Sequence, residues 1–260
     1  MNRETQVVVR DHCHFTGTFR GAAHQGCNLN YKVDKERYKL PIYFHNLRGY
    51  DSHLIMQAVN PKHGQISVIP NNFEKYVSFS IGRLKFLDSM QFLACSLDTL
   101  VKNLSEQDFK HLANAFPDKE QQKMLIRKGV YPYDYMNSMD RFKKSTLPLQ
   151  NEFYNKLNEE ALSDEDYEHA ERVWKTFQCR TMLYYHDIYL KGDVFLLADV
   201  FEKFRQMSIT SYGLEPAHYY SLPGLSWDAL LKHSGAELEL ITNIDIHEMI
   251  EKKPNAVVLQ

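Results

Sequence analysis

Several things are absent from this sequence of 260 residues. No apolar run approaches the roughly 18 residues that a membrane span needs, and no signal peptide opens the chain. The four cysteines, Cys13, Cys27, Cys95 and Cys179, have no framework spacing, and no C-x2-C pair occurs anywhere. A reduced, intracellular, soluble protein is therefore expected, and a nuclear location would fit a eukaryotic host. Charge of one sign is missing too: 31 Lys and Arg stand against 33 Asp and Glu. That balance excludes a global basic field, so any contact with nucleic acid must rest on local sites. No internal repeat and no low-complexity tract is found.

What is present is an ordinary globular composition, 43% hydrophobic and 13% aromatic, in a chain long enough for one large core or two modest ones. Short apolar runs at 7–10, 40–46 and 66–70 read as strands. Residues 75–80 and 83–88 read as a hairpin around Ile81-Gly82. Helices are predicted at 50–59, with Leu54, Ile55, Ala58 and Val59 inward and Asp51 or Ser52 capping, and at 89–104. The stretch 163–177 predicts a helix capped by Ser163, with a stripe of Ala170, Val173, Trp174 and Phe177. Residues 184–207 carry the strongest helical period, through Leu197, Val200, Phe201, Phe204 and Met207, and 226–233 a last one. Residues 33–39 read as a charged connector, and 116–150 as an irregular, aromatic excursion. Alternating strands and helices argue for α/β or α+β.

Three stretches could carry chemistry. "VRDHCHFTGTFRGAAHQGCN" (9–28) packs three histidines and two cysteines into twenty positions. His24 and Cys27 have the spacing of half a tetrahedral zinc site. A surface loop with incidental histidines is the plain alternative. "FHNLRGYDSH" (44–53) places Asn46 and Asp51 at a strand's exit, or is simply a turn with a capping aspartate. "YLKGD" (189–193) sets Tyr189 and Asp193 four apart on one helix face, where such a pair is commonly a surface hydrogen bond.

In this order the stretches are more specific. N-x(3-4)-D after a strand, then Y-x-x-x-D on a helix, resembles the Exo II and Exo III motifs of family B DNA polymerases. "FLDSMQFLACSLDTLVKNL", "KGVYPYDYMNSMDRF" and "GLEPAHYYSLPGLSWDALLK" extend the likeness to the protein-primed members, in particular the branch in Maverick/Polinton DNA transposons. The opening block is similar to the core of endonuclease VII-type HNH nucleases, which hang a ββα-metal element on a zinc-bound treble clef. In the polymerase branch that block precedes Exo II in one polypeptide.

The resemblance implies an RNase H-like α/β 3′–5′ exonuclease at 38–212. An incomplete HNH/zinc element at 1–37 would precede it, and a connector at 213–260 would lead towards a palm. It implies Asp51 and Asp193 as ligands of Mg²⁺ or Mn²⁺, Tyr189 orienting the attacking water, and Asn46 touching the substrate strand or bracing the site. In the HNH block, His12 would be general base, Asp11 and Asn28 would hold an ion, and His24 and Cys27 would bind Zn²⁺. Implied partners are DNA, as a 3′ single strand or primer-template, with a terminal-protein primer and dNTPs, and no membrane.

Two-metal phosphodiester hydrolysis needs several converging carboxylates. The only D-x-E before residue 46 is Asp34-Lys35-Glu36, inside the connector, so no Exo I motif is found. Palm motifs are not found either. The expectation is thus an exonuclease-region fragment of a replicative polymerase from a virus-like mobile element, inactive alone. An HNH endonuclease and a non-catalytic DNA- or protein-binding module are the other two readings.

Overall fold

The computed structural model describes residues 7–12, 17–29, 39–72, 75–239 and 241–252. The fold is mixed α/β, with two sheets and nine helices among those residues. Its contacts divide it into two compact units, Met1–Ser89 and Met90–Gln260. The connector expected at 33–39 falls almost wholly outside the described residues.

The first unit opens with strands β1 (Val8–His12) and β2 (Phe19–His24), paired antiparallel, followed by the short helix α1 (Gln25–Leu29). Gln25 N–H donates to Val7 O at 2.8 Å, which folds α1 back on the hairpin.

A second sheet holds β3 (Leu40–Phe44), β4 (Ile66–Pro70), β5 (Tyr76–Ile81) and β6 (Leu84–Asp88) in the order β3-β6-β5-β4. The expected hairpin is β5–β6, closed by Gly82-Arg83, with Gly82 at φ 55°, where a side chain would be strained. β3 lies parallel to β6, and this requires a crossover. Helix α2 (Asp51–Ala58) lies within it.

The core of this sheet's covered face is Leu47, Phe79, Ile81 and Phe86, with Ile55, Met56 and Val59 against it. Phe79 and Phe86 are cross-strand partners with ring centroids 4.7 Å apart. The inward face of α2 therefore runs through Ser52, Ile55, Met56 and Val59. Leu54 and Ala58 point outward, contrary to the sequence reading. The i, i+3, i+4, i+7 period is the same, but it starts on a serine that hydropathy alone passes over. Neither Asp51 nor Ser52 caps the helix: the N-cap is Tyr50, without a side-chain bond.

The second unit is helical. The helix expected over 89–104 is cut to α3 (Leu97–Val101), because Ser96 accepts the Thr99 N–H and starts the helix there. Helices α4 (Lys110–Ala115) and α5 (Lys119–Leu125) follow, then a long non-helical excursion containing short 3-10 turns. α6 (Asp164–Thr176) begins at Ser163, whose Oγ accepts the Asp166 N–H, and buries Ala170, Val173 and the following Phe177 as expected.

α7 (Met182–Tyr212) spans 31 residues and ends at Gly213 in the left-handed conformation. It is the axis of the unit's core, to which it contributes Met182, Tyr185, Ile188, Leu196 and Val200. Met207, expected in its stripe, is 55% exposed. Gly192 is buried, with Leu125 Cδ2 3.4 Å from where a Cβ would stand. α8 (Leu222–Ser234) starts four residues earlier than the period suggested, with Pro223 in its first turn, and α9 (Ile244–Lys252) is the last element.

Candidate nuclease sites

The strand exit at Asn46 is a built turn. Asn46 adopts φ 70°, ψ 35°, and its backbone N–H donates to Asp88 Oδ1 at 2.9 Å. Arg48 N–H donates to the other oxygen at 3.4 Å. Leu47, buried between them, anchors the turn in the core. Gly49 leaves room for the Asn46 amide: a Cβ there would lie 2.6 Å from Asn46 Oδ1 and push that side chain aside. Asp51 follows as the first residue of α2, half-buried. Asn46 and Asp51 are thus presented by a single turn of the first unit.

Tyr189 and Asp193 occupy one face of α7 in the second unit, and both line a pocket of about 240 Å³ with Ser96, Asp98 and Lys128. The Tyr189 ring stacks on Tyr131, with centroids 4.8 Å apart and planes at 24°, and its hydroxyl hydrogen-bonds that of Tyr133. Burial pushes the Tyr189 hydroxyl pKa up, and the Tyr133 hydrogen bond and the Asp193 charge add to it. Burial also raises the Asp193 carboxyl, opposed by the hydrogen bond from Tyr189 and by the charge of Lys128. A half-buried acid, a neutral hydroxyl and a cation therefore line one cleft.

Lys128 was given no site role in the sequence, although it opens the block at 128–142 that carries part of the resemblance. Its neighbour Gly129 leaves room for the Tyr189 ring, with which a Cβ there would collide. A larger groove of about 470 Å³ shares Asp98 and Lys128 and adds Arg127, Tyr131, Tyr133 and Tyr154. Two of its cations are committed locally, Lys102 to Asp98 at 2.6 Å and Arg127 to Asp166.

The opening block has strand–strand–helix order. Asp11 and His12 end β1, His24 ends β2, and Cys27 and Asn28 lie on α1. Asp11 accepts Arg20 Nη2 at 2.8 Å, and that hydrogen bond holds its carboxyl below the usual range. Cys27 is exposed. Cys13 and His14 lie outside the described residues. Among the described residues no three His, Cys, Asp or Glu side chains gather as a group able to hold a metal ion. No described helix is long and apolar enough to cross a membrane.

Comparison with known proteins places the chain in a family. The family model described as DNA polymerase type B, organellar and viral, matches residues 32–237. No curated protein and no solved structure matches the chain.

Proposed function

The chain belongs to the organellar and viral type B DNA polymerases, and from that premise we propose that it carries the 3′–5′ exonuclease region of a protein-primed member. We place it in the branch of Maverick-type mobile elements, where it would serve DNA replication. DNA is the partner that the family implies. The supporting observation is Tyr189 and Asp193 sharing a pocket with Lys128, inside the segment that matches the family.

In this reading the sheet of the first unit is part of an RNase H-like domain spanning 38–212, and 213–260 is the connector towards a palm. Asn46 contacts the substrate strand, Tyr189 positions the attacking water, and Lys128 offsets phosphate charge. Asp51 and Asp193 are ligands for Mg²⁺ or Mn²⁺. In this reading residues 1–260 leave the two-metal set of the resembled family incomplete. No upstream Asp-x-Glu exists outside 34–36, and no cluster of three ligands forms among the described residues. No hydrolytic step is therefore assigned to residues 1–260, which would bind a single strand without degrading it. In a longer polypeptide a terminal-protein primer and dNTPs would be the further partners.

The test is binding of a fluorescent oligothymidylate, followed by anisotropy, beside a Mn²⁺-dependent degradation assay. Salt-sensitive binding weakened by Lys128→Ala and Asn46→Ala, without degradation, is expected. Binding unchanged by both substitutions would sink the site assignment. Degradation lost in Asp51→Ala and Asp193→Ala would refute the inactivity.

A second reading is favoured by the strand–strand–helix order of 8–29. In it, 1–37 is an HNH/zinc element with His12 as general base, Asp11 and Asn28 on a divalent ion, and His24 and Cys27 on Zn²⁺. The Arg20 pair must release Asp11 for that role. Plasmid nicking that disappears in His12→Ala and survives Asp193→Ala would support it.

A further inference from the structure

We infer that Asp88 is a positioning residue for Asn46: its buried carboxylate fixes the left-handed backbone from which Asn46 is presented to DNA. The inference rests on the exonuclease reading for the role of Asn46 and on the structure for everything else.

The geometry begins with the strand register. β3 and β6 run parallel, and Phe44 is opposite Asp88, so the two strands end side by side. A chain leaving β3 therefore passes directly over the first residues beyond β6. Asp88 is 1% exposed, and both its oxygens accept backbone N–H groups of the passing turn, from Asn46 and Arg48. Ser89 adds a second clamp. Its Oγ donates to Phe44 O at 2.8 Å and lies 3.0 Å from His45 Nδ1. The turn is held at three successive residues, Phe44, His45 and Asn46, and again at Arg48.

The clamp matters because the conformation it holds is one a non-glycine residue seldom adopts. Asn46 has φ 70°, and Gly49 leaves open the space its amide occupies. A left-handed residue persists where its surroundings over-determine it, and such sites concentrate where a side chain must be aimed. Charge-assisted bonds from a buried carboxylate to backbone N–H are among the stronger local restraints. Asp88 is itself unsuited to ligation, since both its oxygens are engaged and it has almost no access to solvent. It acts through Asn46, at a separation of 42 residues.

The experiment uses the full chain and two variants. Asp88→Ala removes both acceptors, and Asp88→Asn keeps one acceptor oxygen in a nearly isosteric group. The first readout is the NMR signal of the Asn46 amide, its shift, its exchange rate and the coupling that reports φ. The second is affinity for the oligothymidylate probe.

Asp88→Asn is expected to fold, to move the Asn46 amide signal upfield and to speed its exchange. Affinity should fall about tenfold in Asp88→Ala, by less in Asp88→Asn, and no further in Asn46→Ala/Asp88→Ala than in Asn46→Ala. An Asn46 amide and coupling unchanged in Asp88→Asn would overturn the inference. So would losses from Asn46→Ala and Asp88→Ala that simply add. If the amide signal moves but neither Asn46→Ala nor Asp88→Ala weakens binding, the restraint stands and the exonuclease reading of Asn46 is what fails. The two claims therefore fail on different readouts.

Discussion

The Tyr189 ring fills the space that a side chain at Gly129 would need: a Cβ there would lie 2.6 Å from Tyr189 Cδ2. The ring cannot simply step aside, because Tyr131 is stacked on it and Tyr133 holds its hydroxyl. Gly129→Ala should therefore cost about 1–3 kcal/mol, the range for overpacking a filled site. Urea unfolding measures it. The cost should shrink when Tyr189→Ala is present as well, because the two side chains compete for one volume.

Asp193 is raised by burial, and the sign of its linkage follows from that. A carboxyl whose folded pKa lies above its unfolded value contributes stability at low pH and loses it as pH rises through the folded pKa. At neutral pH the buried charge is a local cost. Asp193→Asn should then raise stability near pH 7, measured by urea unfolding. Lower stability in the variant at neutral pH would show that the charge is fully compensated.

His169 sits on α6 at 4% exposure, and its pKa is pushed down to about 4, first by burial and then by Arg127 and Arg172. The unfolded chain takes up this proton near pH 6.5 and the folded one only near 4. Stability should hold above about pH 6.5, fall between 6.5 and 4, and level off below, by at most about 3 kcal/mol from this group. His169→Gln should flatten that segment of a stability-against-pH curve. A slope unchanged in the variant would assign the effect to other groups.

Asp199 caps a helix from a distance. Its carboxylate, 1% exposed on α7, accepts His111 N–H at 2.7 Å and Leu112 N–H at 3.0 Å at the start of α4. Asp199→Ala leaves two N–H groups at that helix start without their acceptors and should cost about 2–4 kcal/mol in denaturant unfolding. Asp199→Asn, which keeps one acceptor, should fall between it and the wild type.

What was legible in the sequence was local. Ser163 and the Ala170–Val173–Phe177 stripe specify α6 because a cap and a 3.6-residue period act within a few turns. Gly82 marks the β5–β6 turn because its positive φ is a property of its own backbone. Tyr189 and Asp193 share a face because four residues are one turn of helix. The family was legible in the same way, through short blocks in fixed order, and the match over 32–237 agrees with it.

Tertiary structure decided the rest. The helix expected over 89–104 shrank because Ser96 found a capping geometry in which only 97–101 continues. α2 turned its face by starting on Ser52, which packing against the sheet buries and hydropathy does not flag. Lys128 joined the Tyr189 pocket, and Asp88 the Asn46 turn, across dozens of residues. No local pattern encodes such pairs. They arise when a strand register or a helix contact brings distant backbone together, and the buried polar groups left there must find partners.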